Sequence, residues 1–125
     1  MDSGPGSSRA AVTIYHNPAC SNSRGALTLI RNAGLEPTII EYLKTPPDRA
    51  TLKQLIAAMG VPVREVVRTK EALYQELGLD AATVSDEQLI DAMLEHPVLI
   101  NRPIVVAPKG TMLVRPSERL AEIFP

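Results

Sequence analysis

The sequence predicts an α/β domain built on a four-stranded mixed sheet, with a helical insertion between a strand–helix–strand half and a strand–strand–helix half. Three observations carry that expectation. Two β-branched runs, Val12-Thr13-Ile14-Tyr15 and Thr38-Ile39-Ile40, flank a segment whose apolar residues recur at helical spacing. A strand–helix–strand order of this length makes a parallel pair joined by a right-handed crossover. Near the other end, Pro103-Ile104-Val105-Val106 and Met112-Leu113-Val114 are separated by Pro108-Lys109-Gly110, the pattern of an antiparallel hairpin.

Residues 1–10 are rich in Ser and Gly, hold no apolar signal-type stretch and read as a flexible leader, leaving residues 11–125 as the folded domain. After the first strand, Asn17 and Pro18 suit an N-cap and a first helical position, and a start one or two residues later fits equally. Ala26, Leu27, Ile30 and Ala33 then form one apolar face that Gly34 ends. The second strand runs from Pro37 to Leu43. Beyond the loop Lys44-Thr45-Pro46-Pro47-Asp48, a helix carries Leu52, Leu55, Ile56 and Met59 on one face and stops at Gly60. Pro62 opens a segment with a Val63, Val66, Val67 stripe and with Arg64 and Arg68 on its polar side. Glu71 to Leu77 is helical up to Gly78. Ser85-Asp86-Glu87-Gln88 is a capping box that opens a helix bearing Leu89, Ile90 and Met93, which Pro97 stops. Leu55, Ile56, Leu89 and Met93 are expected in the core. A last helix from Ser117 buries Leu120, Ile123 and Phe124. This order is that of a thioredoxin-like domain with a helical insertion between its halves.

Composition excludes several classes of function. A chain of 125 residues makes one core, and no run is long enough to span a membrane. The formal net charge of −1 supplies no global attraction to nucleic acid or to an anionic membrane, so anion binding has to come from local clustering. The single cysteine rules out an internal disulfide, a cysteine-rich zinc site and a resolving thiol in the same chain. A reducing, cytoplasmic setting fits it better than an oxidising one.

That cysteine, Cys20, follows His16-Asn17-Pro18-Ala19 and lies in or beside the first helical turn. The first N–H groups of a helix have no internal acceptor, and the macrodipole leaves partial positive charge there. A thiolate is therefore favoured over a thiol, and the same N–H groups can cradle an oxyanion. Asn17, Ser21, Asn22 and Ser23 add polar side chains and Arg24 adds a charge. The competing reading is that Cys20 is an inert buried hydrophobe, as lone cysteines usually are. Arg102 and Arg115 each precede a proline at a presumed strand end, where side chains reach a sheet rim. Arginine suits an oxyanion because its planar fork binds two oxygens and stays charged. From spacing alone, solvated surface charges are the default reading of Arg68, Arg102 and Arg115. His16 stands close enough in sequence to tune Cys20 or to be a loop residue, and His96 reads as a partner of a helix C-terminus.

From about Val12 to about Ile123 the sequence resembles the glutaredoxin-linked, glutathione-dependent arsenate reductases, cytoplasmic enzymes of the thioredoxin-like superfamily. The resemblance rests on His16-Asn17-Pro18-Ala19-Cys20 with Ser23-Arg24, on Glu36-Pro37-Thr38-Ile39-Ile40, on Gln88-Leu89-Ile90-Asp91, on the run from His96 to Val106, and on Arg115-Pro116-Ser117-Glu118. It implies that Cys20 is the nucleophile that attacks arsenic and that Arg68, Arg102 and Arg115 bind arsenate and its covalent adduct. It also implies that His16 influences the thiol's ionisation, that Ser23 is a nearby donor, and that Pro103 is a cis-proline beside the site. No bound cofactor or metal is implied; glutathione is a co-substrate, and glutaredoxin resolves the glutathione disulfide because the chain has no second cysteine. Ser21-Asn22 stands where some members have Gly-Thr, and the chain stops at Pro125 where longer members continue.

Two other functions are compatible with this fold. Redox-sensing regulators that bind RNA polymerase carry a Cys-x-x-Cys pair near this position, whereas here the stretch is Cys20-Ser21-Asn22-Ser23. A monothiol glutaredoxin-like oxidoreductase keeps Cys20 but leaves the three arginines without a role.

Overall fold

In a computed structural model, residues 11–124 are described, so the expected leader at 1–10 lies outside the described residues. The chain divides into two compact units, the described part of 1–42 together with 102–125, and 43–101.

The first unit holds the sheet. Strands β1 (Thr13–His16), β2 (Thr38–Glu41), β3 (Ile104–Ala107) and β4 (Gly110–Leu113) lie in the order β2-β1-β3-β4. β1 pairs with β2 in parallel, and β3 is antiparallel to both β1 and β4. The sheet is therefore the mixed four-stranded one expected, with β2 trimmed to the residues that pair with β1. Helix α1 (Ser21–Asn32) makes the crossover between the parallel strands. Its Ala26 and Ile30 pack with Val12, Ile14, Val105, Val114, Leu120 and Ile123 into one core. Leu27 only flanks this core, and Ala33 caps the helix in the open. The closing segment, Ser117–Glu122, is a 3-10 helix; Leu120 and Ile123 are buried as expected, whereas Phe124 is only partly covered. Close approach of this segment to α1 uses Gly25, where a Cβ would stand 2.8 Å from Ser117 Oγ.

The second unit is helical. Helix α2 (Arg49–Met59) is capped by the Asp48 carboxylate, which accepts from the Thr51 N–H, and ends at Gly60, whose φ of 67° is the left-handed value that favours glycine. Helix α3 (Ala72–Glu76) is one short piece before Gly78. Helix α4 (Asp86–Glu95) opens on the expected capping box, with both reciprocal Ser85–Gln88 bonds formed. Leu55, Ile56, Leu89 and Met93 are all buried, as their spacing required. Arg49 and Lys53 on α2 pair with Glu87 on α4, and Arg49 also pairs with Asp91.

The expected valine stripe is present. Val63, Val66 and Val67 are buried, but by a 3-10 turn (Val63–Val66) followed by extended Val67, which bridges antiparallel to Ile100. Residues three apart eclipse in a 3-10 turn, so this backbone buries the same stripe as an α-helix would. Arg64 donates to the Tyr74 hydroxyl at 2.5 Å and to the Leu79 carbonyl at 2.6 Å, which makes it a fastener of the segment that follows.

Candidate active site

The site is built where β1 runs into α1. At the end of β1 the chain turns sharply: the Cys20 N–H donates to the Asn17 carbonyl at 3.0 Å, and the Asn17 side-chain oxygen accepts from the Ala19 N–H at 3.0 Å. Asn followed by Pro fits the first two positions of such a turn as well as it fits a helix start. The turn prevails, so the N-cap is Cys20 and not Asn17, and the helix begins at Ser21.

Cys20 thus occupies the position from which a side chain normally accepts the N–H of the second or third helical residue. Those residues are Asn22 and Ser23; their N–H groups favour the charged sulfur, although the side chain makes no capping hydrogen bond of regular geometry. The sulfur is buried, and burial alone would raise its pKa. The Ser23 N–H, the Arg102 charge, the Arg115 guanidinium and the Asn22 N–H together outweigh that cost, and the thiol ends below its ordinary range. Arg115 Nη1 lies 3.7 Å from Cys20 Sγ and donates to the Arg102 carbonyl at 2.8 Å. The Arg102–Pro103 and Arg115–Pro116 peptides are both cis, the first as expected and the second not foreseen.

Beneath the sulfur, Ser23 is fully buried. Its Oγ lies 2.7 Å from His16 Nδ1 and accepts from the Asn17 N–H at 3.0 Å. This hydroxyl ties the last residue of β1, the turn and α1 together. Burial, with the Arg31 and Arg24 charges, lowers the His16 pKa against the opposing pull of Glu41, so the imidazole is neutral at neutral pH. His16 therefore meets the start of α1 through Ser23. Arg24 is exposed and donates to the Pro18 carbonyl at 2.9 Å, bracing the turn from outside.

Cys20, His16, Asn17, Ser23, Arg102 and Arg115 all belong to the first unit; Arg68 belongs to the second. There its N–H donates to the Leu99 carbonyl at 2.7 Å and its guanidinium pairs with Glu71 at 3.4 Å. His96 caps α4 as expected for a helix-end residue, its side chain 3.4 Å from Glu95. Sequence reasoning missed two contributors, the Arg102 carbonyl that anchors Arg115 and the carboxylate of Glu71 on Arg68. Only the Arg68–Glu71 spacing of three could have signalled the latter. Among the described residues no group of His, Cys, Asp and Glu is arranged to hold a metal ion, and no helix is long and apolar enough to cross a membrane.

The ArsC family matches residues 15–123. The chain is 61% identical over 114 residues to an arsenate reductase of Rhizobium meliloti (strain 1021), covering 91% of this chain and 81% of the relative. It is 59% identical, with the same coverage, to an arsenate reductase of Escherichia coli (strain K12). Among solved structures, an arsenate reductase from Vibrio cholerae superposes with a TM-score of 0.88 at 46% identity, covering 92% of this chain and 98% of that one.

Proposed function

The chain belongs to the ArsC family, and we propose that it is an oxidoreductase that reduces arsenate to arsenite through a covalent adduct on Cys20, using glutathione and glutaredoxin. The observation that carries this reading is a buried cysteine at the N-cap of α1 with the Arg115 guanidinium 3.7 Å from its sulfur and the Arg102 charge nearby, an environment that stabilises both a thiolate and a bound oxyanion. The family match spans both units, which supports taking residues 11–125 as one catalytic domain.

The Cys20 thiolate attacks pentavalent arsenic, forming a sulfur–arsenic bond as one protonated oxygen leaves as water. Arg102 and Arg115, with Arg68, offset the negative charge of the two reactants and hold the adduct's oxygens. Ser23 and His16 keep the turn and the first helical N–H groups aimed at the sulfur; Asn17 shapes the turn with its oxygen and has its amide nitrogen as a donor. A glutathione thiol then displaces a second oxygen as water. A glutaredoxin thiol takes the glutathione sulfur as a disulfide and leaves the bonding pair on arsenic, now trivalent. Hydrolysis of the remaining sulfur–arsenic bond returns Cys20 and releases arsenite. Two electrons come from two external thiols, in accord with the one cysteine of the chain. A cycle of this kind runs in a reducing compartment, the cytoplasm.

The test is arsenite formation by purified protein with glutathione and glutaredoxin. Cys20→Ser should abolish turnover with the circular dichroism spectrum unchanged, because a serine hydroxyl is close in size but is not ionised at neutral pH. Retained turnover in that variant refutes the covalent route, and full turnover without glutaredoxin refutes the external resolving thiol.

A further inference from the structure

Arg68 is held at three points. Its N–H is bonded to Leu99 just beyond the Val67–Ile100 bridge, its carbonyl accepts from the Glu71 N–H at 3.1 Å, and its guanidinium meets the Glu71 carboxylate. The side chains are only 25% and 28% exposed, so this pair is not a loose surface contact. Glu71 also stands at the N-cap of α3, where a side chain would ordinarily accept from the helix amides, yet it makes no capping bond. Its carboxylate is turned back onto Arg68.

We propose that Glu71 is a positioning residue that pre-sets the Arg68 guanidinium for the oxyanion. The proposal rests on the reading of Arg68 as an oxyanion-binding arginine. A free arginine side chain loses much rotamer freedom when a ligand fixes it, and a guanidinium already fixed does not lose it again on binding. The Glu71 contact uses one terminal nitrogen of a group with five N–H donors, so it orients the fork without exhausting it. A carboxylate beside the fork also repels an incoming anion. At 3.4 Å through a single nitrogen this opposition is weaker than a bidentate pair would give, and ordering prevails.

Steady-state arsenate kinetics on Glu71→Ala, Glu71→Gln, Arg68→Ala and the Glu71→Ala/Arg68→Ala double variant test this. Glu71→Ala should raise KM for arsenate roughly three- to tenfold with kcat changed less, and the effect should vanish in the Arg68→Ala background, as coupled residues require. Glu71→Gln keeps an acceptor oxygen and should recover most of the loss. The pH profile of Cys20 alkylation should not move in either Glu71 variant. An unchanged or lower KM in Glu71→Ala, while Arg68→Ala is impaired, overturns the positioning role. An equal rise in KM with and without Arg68 overturns it too, because the effect would then come from α3. If Arg68→Ala is itself unimpaired, the oxyanion reading of Arg68 fails first. Should Glu71→Ala not fold, Glu71→Gln against Glu71→Gln/Arg68→Ala makes the same comparison.

Discussion

Replacing Arg115 by alanine removes the guanidinium whose Nη1 lies 3.7 Å from the Cys20 sulfur. Opposite unit charges at 3.7 Å attract by roughly 1 kcal/mol in bulk water and roughly 4–5 kcal/mol at an effective dielectric constant of about 20. Arg115 is only half-buried, so solvent screening holds the lost stabilisation of the thiolate near the lower end, about 1–2 kcal/mol. At a fixed pH below the thiol's inflection this means a roughly five- to thirty-fold smaller thiolate population. The assay is the rate of Cys20 alkylation by iodoacetamide across a pH series. In Arg115→Ala the inflection should move to higher pH and the rate below it should fall by that factor. Arg115→Lys keeps the charge but loses the fork, so its inflection should move less. Its kcat/KM for arsenate should still drop roughly ten- to a hundred-fold, the worth of one charge-assisted hydrogen bond of about 1.5–3 kcal/mol. An unmoved inflection in a folded Arg115→Ala variant refutes the view that this arginine sustains the thiolate.

Arg102→Lys should likewise lower kcat/KM by about ten-fold or more while Arg119→Lys, on an exposed ion pair with Glu122, leaves it unchanged; equal behaviour of the two variants would make Arg102 a mere surface charge. Leu55→Ala should cost about 2–5 kcal/mol in urea unfolding, since Leu55 is buried on α2, and a loss below about 1 kcal/mol would contradict its place in the core. The lowered pKa of His16 means that the unfolded chain takes up this proton first on acidification, so stability should decline as pH falls below about 6.5, by at most about 1.4 kcal/mol per pH unit. His16→Gln should remove that part of the slope, and unfolding curves with the same pH dependence in both proteins would contradict it.

What could be read from the sequence divides along a physical line. Features set by contacts within a few residues were legible: the Ser85–Gln88 capping box, the left-handed Gly60, the hairpin and the two β-branched runs of the parallel pair. Features that depend on which of two local solutions the tertiary structure selects were not. Asn17-Pro18 satisfies a helix start and a turn equally, and the choice follows from the Ser23 hydroxyl, which ties the Asn17 N–H to the end of β1. The valine stripe at 63–67 fits either an α-helix or a 3-10 turn, and the bridge of Val67 to Ile100 decides for the second. Arg102 and Arg115 could be seen at strand ends before prolines, but the bond from one to the other's carbonyl joins a position before β3 to one after β4 and leaves no local trace.

The same division explains how the sulfur is activated. Its local share, the N–H groups of Asn22 and Ser23, comes with the helix start and works against a burial cost that is the largest single influence on the thiol. The distant share comes from Arg102 and Arg115, and in the proposed reaction it is used twice. Before attack these arginines stabilise a negatively charged sulfur. Once the sulfur–arsenic bond forms, sulfur no longer carries that charge and the excess lies on the adduct's oxygens, within reach of the same guanidiniums. Arg115 does not have to be recruited from solvent for this second role, because the Arg102 carbonyl already holds it at 2.8 Å before any ligand is bound. Donors already oriented where charge develops need no reorganisation during the reaction, which is the condition under which electrostatic stabilisation lowers the barrier most.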